Sequence, residues 1–197
     1  TASARHDPAR TVFGVMPVSS VDPVSRLLTD GVVEALHRSG LIHTDALLSE
    51  LPRLDLSPYR LVIFATTPVL DEAQRRHVHT QVARAGRHLV FLGYAGWSNG
   101  RSLGPELASS LTGLPTRVES KPDAAATFDL DGVVERIDLG RSFAVPVYDA
   151  SDGQVMGCWA DGTIAAARQE DPETTRWSLA LPPQTPATWR AIGRRAG

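Results

Sequence analysis

The sequence predicts an α/β domain in which helices cover both faces of a parallel sheet and further antiparallel strands are appended to it. Residues 61–64 and 88–92 are continuous apolar runs, which suit strands buried on both faces, and a helical pattern separates them. In the second half, Asp-Gly pairs separate short apolar runs, a spacing typical of antiparallel hairpins. These runs are residues 126–130, 133–137, 143–148, 154–159 and 163–167. The pattern therefore indicates a parallel core followed by an antiparallel meander.

The helix between the two buried runs has a clear beginning. Asp71 followed by Gln74 is a capping-box pattern, and Gly86 is placed to end the helix in a left-handed conformation. Its apolar residues recur at near-helical spacing, whereas its arginines occupy the side predicted to face solvent. The apolar set is Ala73, Val78, Val82 and Ala85, and the arginines are Arg75, Arg76 and Arg84.

The remaining elements follow from apolar patterns and helix-stop signals. We expect strands at residues 11–18, 41–42, 116–119 and 177–181, and helices at 23–38, 45–51, 105–111 and from Pro186. Thr185 is the predicted cap of the last helix. We expect three parts: a core at 11–120, an antiparallel extension at 121–181, and a C-terminal helix at 182–197 that packs back on the core.

Composition excludes several classes of function. The net charge is −2 and charged residues make up 21% of the chain, which argues against a nucleic-acid surface. A single cysteine, Cys158, precludes an internal disulfide, and it lies mid-strand without a neighbouring base. The histidines have no metal-ligand spacing, and no apolar run is long enough for a membrane span. We therefore expect no cofactor, no metal, no nucleic acid and no membrane partner. The first ten residues lack the apolar core of a signal peptide, so the predicted location is cytoplasmic.

The strongest candidate ligand site lies where parallel strands end, because open parallel sheets bind ligands beyond their carboxyl ends. We place it at Ser19, Thr66, Tyr94, Gly96, Trp97 and Asn99. The segment 93–96, Gly-Tyr-Ala-Gly, has two interpretations: a degenerate nucleophile elbow with Ala95 in the position of the nucleophile, or an ordinary glycine-rich turn. Trp97 also has two: an exposed ring that stacks on a sugar or a partner, or a buried ring that caps the sheet.

Short motifs in these segments resemble one known family. Residues 59–64, 70–75, Gly86, 89–94 and 111–113, together with the closing helix at 186–197, are similar to the glutamine-amidotransferase-like domain that follows the catalytic barrel in bacterial beta-galactosidases. That domain is also called the beta-galactosidase trimerisation domain. Residues 122–175 match it only loosely.

The resemblance implies a flavodoxin-like, class I glutamine-amidotransferase-like fold. It also implies a non-catalytic module that contributes oligomer contacts, because the family's catalytic glutamates lie on a barrel that this chain does not contain. The implied partners are a catalytic barrel domain of the same polypeptide and further copies of the chain in a homo-oligomer, with carbohydrate as a further candidate. Two alternatives stay open: a carbohydrate-binding module, and a small amidotransferase-like hydrolase with an unrecognised site.

Overall fold

The computed structural model describes residues 11–16, 23–65, 67–151 and 153–197, with side chains from residue 31 onward. The strands, in chain order, are β1 Thr11–Met16, β2 Ile42–Leu47, β3 Leu61–Phe64, β4 Arg87–Leu92, β5 Thr116–Lys121, β6 Ala125–Leu130, β7 Val133–Asp138, β8 Phe143–Tyr148, β9 Gln154–Trp159, β10 Ile164–Glu170 and β11 Thr174–Leu179. The α-helices are α1 Pro23–Ser39, α2 Glu72–His77, α3 Pro105–Thr112 and α4 Pro186–Ala196. None of the helices in this part of the chain combines the length and the apolar character needed to cross a bilayer.

Five strands form the parallel part of one mixed sheet, in the order β2-β1-β3-β4-β11. All four side chains of β3 are buried, as the continuous apolar run predicted. Successive residues face opposite sides. Leu61 and Ile63 join one apolar cluster, and Val62 and Phe64 join the other.

Helices cover both faces of the parallel part, as predicted. The α1 residues Val32 and Leu36 share a buried cluster with Trp189 and Ile192 of α4. The other face is covered by α3 and by a π-helical turn, Val78–Val82, that continues α2. The predicted cap of α4 is confirmed, because the Thr185 side chain accepts a hydrogen bond from the Thr188 N–H.

The antiparallel strands extend the same sheet, in the order β11-β10-β9-β6-β7. The hairpin between β6 and β7 is confirmed, with Asp131 (φ 56°) and Gly132 (φ 78°) in its turn. The predicted sequential meander is wrong at β8, which pairs with β5 along its length and meets β10 only where Tyr148 lies opposite Ile164. The cause is non-local, because β5 comes from before the meander in the sequence.

Sheet pairing runs across the predicted boundary at residue 120 in two places. β5 begins at Thr116, inside the predicted core at 11–120, yet it pairs with β8, which lies in the predicted extension at 121–181. β11 lies within the predicted extension at 121–181, yet it adds a parallel strand beside β4. The division into 11–120, 121–181 and 182–197 stays a prediction.

The predicted helix at residues 45–51 is wrong. β2 occupies Ile42–Leu47 and pairs with β1 residue by residue, and only a 3₁₀ turn, Leu51–Arg53, follows it. β2 lies at the edge of the sheet, so Thr44 and Asp45 are exposed and the strand has no continuous apolar run. A polar edge strand of this kind lacks the apolar pattern of a buried strand, so its sequence resembles that of a short polar helix.

The predicted capping box of α2 is confirmed, and the predicted sides of that helix are confirmed in part, with Val78 and Val82 buried and Arg76 and Arg84 exposed. The Asp71 side chain accepts from the Gln74 N–H, and the Gln74 side chain accepts from the Asp71 N–H. The π-helical turn after His77 then shifts the spacing, so that Ala83 is buried while Ala85 is exposed. Ala73, in the first turn of α2, is also exposed. The prediction that Arg75 faces solvent is wrong, since only 6% of it is exposed.

Candidate functional site

The predicted site lies in the turn that follows β4, at the carboxyl edge of the parallel strands. Gly93 (φ 58°) and Gly96 (φ 72°) both adopt left-handed conformations. The Gly93 N–H donates to the Leu179 carbonyl oxygen at 2.8 Å, and the Gly96 N–H donates to the Thr67 carbonyl oxygen at 2.8 Å. The turn is therefore fastened to the ends of both neighbouring strands, β11 and β3.

The geometry of residues 93–96 favours an ordinary glycine-rich turn over a degenerate nucleophile elbow. An elbow holds its nucleophile on a strained strand-to-helix turn. Ala95 is 3% exposed, and among the described non-glycine residues only Ala85 and Asp131 have positive φ. The next helix, α3, begins at Pro105. Ala95 is therefore neither strained nor presented to solvent.

Gly96 is the most constrained residue of the turn. A Cβ atom at this position would lie 2.5 Å from Leu111 Cδ2 of α3, closer than two carbon atoms can approach. Its carbonyl oxygen accepts a hydrogen bond from Nη2 of Arg75. Gly96 therefore allows α3 and the turn to pack closely, which is a structural role.

Arg75 is the residue that sequence reasoning missed. Its Nε donates to the Leu70 carbonyl oxygen at 2.9 Å, its Nη1 to that of Leu107 at 2.8 Å, and its Nη2 to those of Ser98 at 3.1 Å and of Gly96. Burial lowers the pKa of its guanidinium. The side chain thus joins the loop after β3, the loop after β4 and the first turn of α3 at the carboxyl edge. No sequence signal could have shown this, because its partners are backbone oxygens of distant residues.

The aromatic pair of the turn is only partly accessible. Trp97 is 5% exposed and Tyr94 is 40% exposed, and their rings meet edge to face with centroids 5.0 Å apart. The Tyr94 hydroxyl donates to the Ala144 carbonyl oxygen of β8, and burial raises the pKa of Tyr94. Trp97 is therefore the buried ring of the two interpretations, and Tyr94 presents the accessible aromatic surface.

Asn99 organises its own loop. Its Oδ1 accepts hydrogen bonds from the backbone N–H groups of Arg101 at 2.9 Å and Ser102 at 2.8 Å. Its Nδ2 donates to Oε1 of Glu72 at 3.0 Å. Both ends of the amide thus hold protein groups, while the second N–H of Nδ2 has no hydrogen-bond partner within the described residues and is left for a ligand.

The structure brings four of the six predicted site residues into one segment: Tyr94, Gly96, Trp97 and Asn99. Ser19 and Thr66 lie outside the described residues. Next to the turn, Thr67 and Ser178 are fully buried, and their hydroxyls have no hydrogen-bond partner within the described part of the chain. Ligand binding at this turn remains a prediction.

Elsewhere, a shallow groove of about 570 Å³ lies between β6 and β9 and includes Asp129, Asp131 and the half-buried Cys158. Residues 31–65, 67–151 and 153–197 contain no group of three or more His, Cys, Asp or Glu side chains that could hold a metal ion.

Comparison with known proteins gives matches in structure but not in sequence. No protein-family model matches the chain, and neither does any curated protein. A beta-galactosidase from Bacillus circulans sp. alkalophilus superposes with a TM-score of 0.70 at 15% identity, over 94% of this chain and 30% of that one. A beta-galactosidase from the haloarchaeon Halorubrum lacusprofundi gives a TM-score of 0.68 at 15% identity, over 94% of this chain and 29% of that one.

A shorter protein has a similar fold. A ThuA-like protein from Bacteroides uniformis superposes with a TM-score of 0.58 at 11% identity, over 89% of this chain and 82% of that one. The fold thus occurs both as part of a long chain and as most of a short one. The chain spans about 30% of the length of the two beta-galactosidases. The matches confirm, in fold, the resemblance to a beta-galactosidase domain that the sequence motifs predicted.

Proposed function

We propose that this chain is a flavodoxin-like, non-catalytic accessory domain of a larger glycoside-hydrolase-like protein of the beta-galactosidase type. The observation that carries the proposal is the structural match over 94% of this chain to only 30% of a beta-galactosidase. The order of the five parallel strands, β2-β1-β3-β4-β11, supports the flavodoxin-like assignment, since flavodoxin-like sheets have the order 2-1-3-4-5.

The carboxyl edge supports a structural role for the domain. In the turn after β4, Ala95 has no atom that could attack a carbonyl carbon, and it is buried. The hydrogen bonds of Arg75 and Asn99 hold neighbouring segments of the protein in place. The partners we propose are a catalytic barrel in the same polypeptide and further copies of the chain in a homo-oligomer. The predicted cytoplasmic location stays part of the proposal.

The test is hydrolysis of an aryl galactoside by the purified chain. We expect no turnover above that of a mock purification, because the reacting carboxylates would lie on the barrel. Hydrolysis that scales with the concentration of the pure chain would overturn the proposal.

The second candidate function is carbohydrate binding, which the exposed ring of Tyr94 favours. Here Tyr94→Ala should abolish binding to a glycan panel, while Leu103→Ala, an exposed control in the same loop, should not. Unchanged glycan binding by the Tyr94 variant would remove this candidate.

A further inference from the structure

Two histidines lie side by side at the amino edge of the parallel strands, opposite the turn that follows β4. His37 is in the last turn of α1, and His43 pairs with Val12 near the start of β2. Their ring centroids are 4.6 Å apart, and the ring planes are inclined to each other by 46°. The turn between α1 and β2 therefore brings two imidazoles from different elements together.

The position of His43 leaves one of its ring nitrogens available. Its Nδ1 lies 3.2 Å from the Leu41 carbonyl oxygen. A carbonyl oxygen only accepts hydrogen bonds, so in the neutral ring Nδ1 carries the proton and Nε2 keeps its lone pair. Histidines that bind metals are commonly held in this way, with the other ring N–H donated to a carboxylate or a backbone carbonyl.

The separation of the rings fits two ligands of a single ion. With metal–nitrogen distances of about 2.0–2.1 Å, two imidazoles at a right angle have ring centroids roughly 4.5 Å apart, and two in a tetrahedral arrangement roughly 5.2 Å apart. The observed 4.6 Å is close to the right-angle value. His37 is exposed and His43 is half-buried, so an ion from solvent can reach both rings.

The charges next to the pair do not repel a cation. Arg38 follows His37, but its guanidinium is paired with Glu34 at 3.5 Å. Asp45 is exposed and lies two residues after His43, so it is on the same side of β2 as that histidine. In residues 31–65, 67–151 and 153–197 no third His, Cys, Asp or Glu side chain completes a metal-binding group, so water fills the remaining positions.

We propose that His37 and His43 bind one divalent transition-metal ion through two imidazole nitrogens, with Cu²⁺ preferred over Ni²⁺ and Zn²⁺. Imidazole suits all three ions, Cu²⁺ binds most tightly of the three, and a right angle between ligands suits its tetragonal geometry. Mg²⁺ does not bind here, because it requires oxygen ligands. The inference does not depend on the accessory function, since the pair lies at the opposite edge of the sheet from the candidate ligand site.

The test is calorimetric titration of the purified 197-residue chain with CuCl₂ near neutral pH. We expect one ion per chain at micromolar concentrations. His37→Ala and His43→Ala should each weaken Cu²⁺ binding about tenfold or more, because only one ligand remains. His79→Ala is the matched control, since it removes an exposed histidine of the π-helical turn, and it should leave Cu²⁺ binding unchanged.

Electron paramagnetic resonance of the Cu²⁺ complex gives a second measurement. It should show two coordinated nitrogens in the wild type and one in either variant. Ni²⁺ should raise the Tm of the wild type but not that of the two variants, because the ion binds only the folded site. The circular dichroism spectrum without metal checks folding. His37→Ala decides the outcome alone if His43→Ala does not fold, because the His37 side chain is exposed.

Three results would overturn the inference. One is a wild type that binds no Cu²⁺ in the titration. Another is Cu²⁺ binding that His37→Ala weakens no more than His79→Ala does. The third is a resonance spectrum of the wild type in which only one nitrogen is coordinated, since this would describe an adventitious ion on a single surface histidine.

Discussion

The parallel and antiparallel parts of the sheet bury charged side chains in different ways. In the parallel part, Arg75 and Arg87 are 6% and 9% exposed, and backbone carbonyl oxygens satisfy them. In the antiparallel part, Lys121 and Glu135 are each 5% exposed. Lys121 donates to carboxylates and to one hydroxyl, and Glu135 accepts hydrogen bonds from residues at the beginning of α4.

The two buried arginines fasten loops around the α2 region. Arg87 donates to the carbonyl oxygens of Leu56 at 3.0 Å, Tyr59 at 3.2 Å, Gln81 at 3.2 Å and Val82 at 3.3 Å, two of which end the π-helical turn. Burial lowers the pKa of Arg75 and Arg87, yet arginine keeps its charge at any ordinary pH. This kind of support is therefore insensitive to pH.

The ions of the antiparallel part join segments far apart in sequence. Lys121 Nζ donates to Glu119 Oε2 at 2.6 Å, to Thr163 Oγ1 at 2.8 Å and to Asp161. Glu135 of β7 accepts from the Gln184 N–H at 2.6 Å and the Thr185 hydroxyl at 2.9 Å, where α4 begins. The hydrogen bonds of Lys121 lower the pKa of Glu119 and of Asp161, so this part of the support weakens as the pH falls, unlike that of the arginines.

Arg75→Met should have the largest effect. It removes a donor from four carbonyl oxygens, of which those of Ser98 and Leu107 keep a second donor, the Leu70 N–H and the Ser110 hydroxyl. The free energy of unfolding should fall by about 3–5 kcal/mol in urea titrations. Arg76→Met, one residue away and exposed, should change it by less than about 0.5 kcal/mol. Similar losses of unfolding free energy in the two variants would show that the hydrogen bonds from Arg75 to carbonyl oxygens do not stabilise the fold.

Lys121→Met should have a smaller effect, about 1–3 kcal/mol, because water can reach Asp161, whose side chain is 50% exposed. Lys121 and Thr163 lower the pKa of Asp161 to about 2. A depressed carboxyl pKa stabilises the fold above its unfolded value of 3.8, and that stability is lost as the pH falls toward 2.

The variant should therefore show a flatter decline in unfolding free energy over this acid range than the wild type. Arg136→Met, which removes an exposed ion pair, is the control and should cost less than about 0.5 kcal/mol. An acid profile identical to that of the wild type would contradict the assignment of Lys121.

His88 lies where the two parts of the sheet meet, and it should give the smallest effect. Trp177 Nε1 donates to its Nδ1 at 3.1 Å, and burial, aided by Arg168, lowers the pKa of His88 to about 4. The unfolded chain binds this proton more readily, so stability is full above pH 6.5 and falls between 6.5 and 4.

After discounting for partial exposure, the loss should be about 1–2 kcal/mol. His88→Gln keeps an acceptor for Trp177 but does not titrate, so it should remove this part of the pH profile. The free energy of unfolding from urea titrations at several pH values, followed by tryptophan fluorescence, gives the measurement. If the unfolding free energy of His88→Gln falls as steeply between pH 6.5 and 4 as that of the wild type, the pH dependence comes from another group.

The sequence was informative where structure is local. The capping box of Asp71 and Gln74, the cap at Thr185, the buried run of β3 and the hairpin at Asp131 all depend on neighbouring residues, and all are present. Four residues of the candidate site were placed in one turn because they are adjacent in the chain.

The features that the sequence missed depend on distant partners. Arg75 is buried because residues 21, 23 and 32 positions further along the chain, in one loop and in α3, present their carbonyl oxygens to it. β11 lies parallel to β4 although 81 residues separate the end of β4 from Thr174. Neither feature changes the hydrophobic periodicity of the sequence, so neither could be predicted from it. Hence most of the elements could be predicted, but not the strand neighbours or the hydrogen bonds of Asn99.

The most direct test of the accessory-domain proposal is the intact mass of the native protein, read together with the coding sequence that surrounds this chain. We predict a polypeptide roughly three times as long, in line with the 30% share of the matched beta-galactosidase, with a catalytic barrel that carries paired glutamates before residue 1. A native protein that begins and ends close to residues 1 and 197 would contradict the proposal.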